Sequence, residues 1–114
     1  MTDAVTAYGA AWLETDEGVR RALLERAWAE DAVYVDPLDH VTGREALVAH
    51  IGAFPSSMAG GRVEVVGDTA RHPDSAHLCW RIVDVTGQQV LTGFDVVQLD
   101  AEDRITRLTG FFDT

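Results

Sequence analysis

Gln88-Gln89-Val90-Leu91-Thr92-Gly93-Phe94-Asp95-Val96-Val97-Gln98-Leu99 is the stretch whose reading decides the fold. Strand geometry has period two, so Leu91, Gly93, Asp95, Val97 and Leu99 share one side and Val90, Thr92, Phe94, Val96 and Gln98 the other. The first set is apolar except for Asp95. An aspartate between Phe94 and Val96 has no turn to serve. If buried, it must be hydrogen-bonded, paired or held protonated, because an unpaired buried carboxylate is costly.

The same alternation continues on both sides. Arg62 to His72, with a bulge expected at Gly67-Asp68, leads through Pro73-Asp74 into a strand from Ser75 to Val85. Thr86-Gly87 turns the chain into the strand that ends at Leu99. A polar turn, Asp100-Ala101-Glu102-Asp103, precedes a last strand from Arg104 to Phe112. Ala76, Leu78, Trp80 and Ile82 oppose His77, Cys79, Arg81 and Val83, which puts Trp80 on the concave side with Asp95. Long strands joined by tight turns make an antiparallel meander.

Toward the N-terminus the period becomes helical. Val5, Tyr8, Ala11 and Trp12 predict a helix over Asp3 to Glu14. Val19, Leu23 and Ala27, flanked by Leu24 and Trp28, predict a second helix from just after Thr15 or Asp16 to near Asp31. A strand from Ala32 to Asp36 is stopped by Pro37. Thr42-Gly43-Arg44-Glu45 reads as a capping box that opens a third helix, which runs to about Phe54 and is ended by Pro55. Ser56 to Gly61 reads as a mobile loop. Helices segregated ahead of a curled antiparallel sheet give an α+β fold in one domain, residues 1–114, with the helices over one sheet face.

Composition excludes several classes. With 46% hydrophobic residues the chain can bury a real core. Its formal charge of −10 repels phosphate backbones and anionic lipid, so neither nucleic acid nor membrane is an expected partner. No stretch approaches the ~20 apolar residues needed to span a bilayer, and a cytoplasmic protein is expected. Cys79 is the single cysteine, which rules out an internal disulfide or a Cys-based zinc site and reads as a small buried hydrophobe.

A second carboxylate, Asp36, sits in Val33-Tyr34-Val35-Asp36-Pro37, again in an apolar strand. Two such aspartates argue for a shared pocket, although a residue before proline also suits the capping of a turn. Trp12, Trp28, Tyr34, Trp80 and Phe112, with His50 beside Ile51 on the third helix, are the candidates to line that pocket and to select a hydrophobic guest. His40 is expected in solvent, and Asp100, Glu102 and Asp103 as a solvated turn. Asp36, Asp39 and His40 lack metal-ligand spacing, so no metal is expected.

The order helix, helix, strand, helix, then a curled meander, with Asp36-Pro37 after the second helix and Asp95 on the penultimate strand, resembles the SnoaL-like branch of the nuclear transport factor 2-like superfamily. The resemblance runs from Asp3 to Asp113. It implies a cone-shaped α+β barrel enclosing one deep pocket, usually as a homodimer, with no cofactor. Within it, Ala32 to Pro37 looks like the segment that carries the general base of ketosteroid isomerases. Asp95 matches their protonated oxyanion-hole aspartate, and an ungapped count puts their tyrosine donor at Trp12. Polyketide cyclases of the branch carry out related proton transfers. Epoxide hydrolases resemble the chain through Val90-Leu91-Thr92 and its last strand, but Gly110 stands where their late aspartate would fall. Their Arg-x-Asp pair is also missing, Arg81 and Asp84 lying on opposite strand faces.

Two functions follow as expectations. One is acid-base chemistry, of isomerase or cyclase type, on a small apolar carbonyl compound such as a steroid-like or polyketide substrate. The other is a non-catalytic module that binds a hydrophobic ligand or dimerises. In either case an outer sheet face with Arg81, Val83, Phe94 and Val96 is the expected dimer surface. Convergence of Asp36 and Asp95 on one cavity favours the enzyme.

Overall fold

In a computed structural model describing residues 3–113, aspartates begin the first two helices. Asp3 accepts from the Thr6 amide ahead of α1 (Ala4–Leu13), and Asp16 from the Val19 amide ahead of α2 (Glu17–Ala27), satisfying amides that have no helical partner. Helix α2 stops four residues short of the sequence expectation. Strand β1 (Trp28–Val35) begins at once, because Trp28 pairs with Ile105 and its carbonyl accepts from Arg44 Nε at 2.9 Å. A three-residue strand, β2 (His40–Thr42), folds back on β1.

Helix α3 (Arg44–Ser57) lacks the capping box read from the sequence. Thr42 is held in β2 opposite Val33, Gly43 is the N-cap at φ +94°, and Glu45 turns outward to Arg21 at 3.0 Å. Pro55 lies inside the last turn rather than ending the helix. The stop comes at Ala59 (φ +51°) and Gly60, whose amide bonds the Pro55 carbonyl at 2.7 Å. Ser56 to Gly61 is thus a hydrogen-bonded helix end rather than an open loop.

The remaining strands are β3 (Arg62–His72), β4 (Ser75–Val83), β5 (Gln89–Leu99) and β6 (Ile105–Phe112). Together they form one curved sheet in the order β2-β1-β6-β5-β4-β3, antiparallel except where β1 runs parallel to β6. The expected bulge is present as a register shift between Val66 and Ala70, with Gly67 at φ +69°. Ala76, Leu78, Trp80 and Ile82 are buried with Val97 and Leu99, and Leu24, Leu47 and Val48 join that core from the helices. The alternation that buries Trp80 sends Cys79 outward, where it is exposed, contrary to the expected buried hydrophobe. Val83 is buried rather than on the outer face, since the register shifts between Ile82 and Val83.

Asp103 is more than a solvated turn residue. Its carboxylate accepts from the Ala4 amide at 3.2 Å, from Arg26 at 2.9 Å and from Arg71. One side chain therefore ties the start of α1, the end of α2 and the end of β3 to the β5–β6 turn. Among the described residues, no helix is long and apolar enough to cross a membrane.

Candidate active site

Strand β1 delivers Asp36 to the point where Pro37 ends the sheet. Oδ1 accepts from the Leu38 and Asp39 amides at 2.8 and 2.7 Å, which is the turn cap the sequence allowed. Oδ2 accepts from the Tyr34 hydroxyl at 2.6 Å. Tyr34 stands two residues earlier on the same strand face, so period two aims both side chains at one space. Burial, then the bond to Asp36, raises the Tyr34 pKa and keeps the phenol a donor.

Asp95 is 6% exposed. It lies between Leu78 of β4 and Gly110 of β6 in the sheet register, and Trp80 Nε1 donates to its Oδ1 at 3.0 Å. Burial pushes its pKa up to about 7; the Trp80 indole N–H pulls it down, and the negative charge of Asp36 adds to the rise.

Two glycines make this arrangement possible. A Cβ on Gly93 would lie 2.2 Å from Trp80 Cζ2 and 2.2 Å from the Phe111 carbonyl oxygen, so only glycine lets the indole lie across β5 and reach Asp95. A Cβ on Gly110 would lie 2.9 Å from Asp95 Oδ1 and 3.3 Å from Asp36 Cβ. The two carboxyl groups therefore flank one glycine. Where the late aspartate of the epoxide-hydrolase pattern would fall, this chain has the gap that brings Asp36 and Asp95 together. Arg81, the other element of that pattern, is engaged with Glu64 at 2.8 Å.

Both aspartates line a cavity of about 440 Å³ between the helices and the concave sheet. Of the predicted aromatic set, Trp12, Tyr34, Trp80 and Phe112 line it, and so does His50. His50 rests on Trp12 and Tyr34, with ring centroids at 6.2 and 5.4 Å, and its Nε2 is 3.9 Å from Asp39 Oδ2. His40 is exposed, as expected.

Trp28 does not reach the cavity. It is fully buried behind Tyr8, with the rings stacked at 5.7 Å. The residue that sequence reasoning missed is Tyr8 itself, which lines the cavity from α1. Burial and then the charge of Asp95 hold its phenol well above the usual range. An ungapped count from Asp36 lands on Trp12, whereas the phenol stands one helical turn earlier on the same face. The i, i+4 relation of the two residues was the available signal. Among the described residues, no three His, Cys, Asp or Glu side chains gather closely enough to hold a metal ion.

Comparison with known proteins identifies the family and the fold. The SnoaL-like domain family matches residues 5–108. A proposed isomerase of the SnoaL-like family from Agrobacterium tumefaciens is 37% identical, with a TM-score of 0.89 over 97% of this chain and 95% of that one. A proposed polyketide cyclase from Sinorhizobium meliloti shares the fold at 21% identity and a TM-score of 0.73, covering 96% of this chain and 94% of that one. A protein of unknown function with a cystatin-like fold from Methylobium petroleophilum does so at 17% identity and a TM-score of 0.79, over 97% and 74%. No curated protein matches the chain significantly.

Proposed function

The chain belongs to the SnoaL-like domain family, and from that premise we propose that it is a cofactor-independent enzyme of isomerase or cyclase type acting on a small apolar carbonyl compound. The observation that carries the reading is the pair of unlike carboxyl groups on one apolar cavity. Asp95 is buried with a pKa near 7, while Asp36 accepts three hydrogen bonds at the cavity edge. Environments that push two carboxyl groups apart are how one site supplies an acid and a base together.

In this mechanism Asp36 removes a proton α to the carbonyl and returns it elsewhere on the substrate. Neutral Asp95 donates a hydrogen bond to the enolate oxygen, and Tyr8 is placed as a second donor. The Tyr34 hydroxyl holds Asp36 in position, and Trp80 does the same for Asp95. Ketosteroid isomerases use the same division of labour and are the template for it. The aromatic walls suit an apolar cyclic skeleton.

The test is conversion of a β,γ-unsaturated cyclic ketone, followed by its conjugated absorbance, in wild type and Asp36→Asn. The substitution should lower turnover by about a hundredfold, the scale of a lost general base. Wild-type turnover should decline as pH rises through about 7, where Asp95 gives up its proton. Equal rates in the two proteins would refute the role of Asp36.

Both oxygens of Asp36 already accept bonds from the protein, which favours a second reading as a hydrophobic-ligand-binding module. Ligand binding without wild-type turnover would select it.

The same proposal includes a homodimer through the outer sheet face. Phe94 stacks between His77 and Phe111 there, with Phe111 43% and Val96 41% exposed. Sedimentation at micromolar concentration should give a dimer, and Phe111→Glu a monomer. A monomeric wild type would remove this part of the proposal.

A further inference from the structure

The permanently cationic side chains of this protein are arginines, nine in number, with no lysine. No arginine lines the cavity, and the histidine that does, His50, has its Nε2 3.9 Å from Asp39 Oδ2. Arg21 pairs with Glu45, Arg62 and Arg81 with Glu64, Arg71 with Asp103 and Arg104 with Glu102. Arg20 donates to the Glu14 and Thr15 carbonyls, and Arg44 to that of Trp28. The cavity wall nevertheless carries three carboxyl groups, Asp36, Asp39 and Asp95. Asp95, more than nine-tenths buried and on the cavity wall, has one donor among the described residues, the Trp80 indole on Oδ1, and none of them donates to Oδ2. Once Asp95 ionises, above about pH 7, a carboxylate so buried has no cation of the protein beside it, which is strongly unfavourable.

The other walls suit the missing charge. Trp12, Tyr34, Phe54, Trp80 and Phe112 present ring surfaces to the same space. Aromatic faces attract an ammonium group, most strongly where water is excluded, and they also pack an apolar body. An anionic ligand would meet three carboxyl groups and no arginine.

We propose that this cavity is a receptor for protonated amines with an apolar ring skeleton, the ammonium group sitting between Asp36 and Asp95 as the counter-ion that the protein itself does not supply. The ligand class goes beyond the neutral carbonyl compound of the proposed reaction. It rests on the same cavity being the binding site and not on proton transfer, so such amines would occupy the site as ligands or as inhibitors of that reaction.

The test uses two probes of nearly equal shape, 1-adamantylammonium and neutral 1-adamantanol, titrated calorimetrically into the full chain at pH 8. The cation should bind at least about tenfold more tightly, as expected of a charge pair desolvated within aromatic walls. In the double variant Asp36→Asn with Asp95→Asn, the preference should fall below about threefold while 1-adamantanol binding is retained, since both changes are isosteric and leave the aromatic walls in place. The single variants then assign the preference to one carboxylate or both. Equal affinity of the two probes, a preference that survives in the double variant, or binding of neither probe would each overturn the proposal. Because binding is read without turnover, a failed isomerase assay leaves this result standing, and a failed titration leaves the isomerase assay standing.

Discussion

Asparagine in place of Asp95 should make the protein more stable at pH 8, by up to about 4 kcal/mol. In the unfolded chain an aspartate ionises near 3.8, whereas in the folded protein Asp95 holds its proton up to about 7. Between those values the folded state binds more protons than the unfolded state. Stability therefore falls as pH rises from about 4 to about 7, and the full penalty persists above that. Below about pH 4 both states are protonated and the penalty is absent. Asparagine carries no charge at any pH and still offers Trp80 an acceptor. The gap between variant and wild type should thus be small near pH 4 and largest at pH 8, where it amounts to a rise in Tm of roughly 10 °C or more for a domain of this size. Thermal unfolding of both proteins at the two pH values measures it. A gap that does not change with pH would mean that Asp95 is not held neutral by its surroundings. The gain in stability should come with a loss of turnover, the usual exchange at a site whose chemistry needs an unfavourable group.

Gly93→Ala should lower stability by about 3 kcal/mol or more, roughly 12 °C in Tm. The new methyl would sit 2.2 Å from a backbone oxygen of β6 and 2.2 Å from the Trp80 ring. Moving the ring removes the donor to Asp95, and moving β6 disturbs the strand that joins β1 to β5. A change of Tm within about 2 °C, with the indole still bonded to Asp95, would show that this contact yields easily. Glycine at this strand position thus has two steric reasons, the Trp80 indole and the Phe111 carbonyl oxygen.

Much of this architecture was legible before the structure. The period-two pattern of β5 placed Asp95 beside Val97 and Leu99 on the buried side, and helical spacing put two helix starts near Asp3 and just after Thr15 or Asp16, close to where they lie. Boundaries failed where long-range pairing overrode local pattern. Helical periodicity runs on through Trp28, but Ile105 pairs with that residue and draws it into a strand. The capping box failed for a similar reason, because Thr42 answers to Val33 across the sheet.

The site was legible as two carboxyl groups and most of its rings. What stayed hidden were relations between distant elements: the space at Gly110, the stacking that puts Tyr8 rather than Trp28 on the cavity, and the Asp103 junction that draws in two arginines. None of these leaves a periodic trace in the chain.

Strand β6 occupies the middle of the sheet, flanked by β1 and β5. The segment bearing Asp36 and the meander bearing Asp95 meet within the sheet only through β6, which pairs with both. That docking closes a long loop, since Trp28 must find Ile105, and contacts so distant in sequence are slow to form. The two-carboxylate site should therefore assemble late in folding. Until then the apolar edges of β1 and β5 are both open to pairing with other chains. Recovery of ligand binding after dilution from denaturant should accordingly lag behind the helical signal and share its time course with burial of β6.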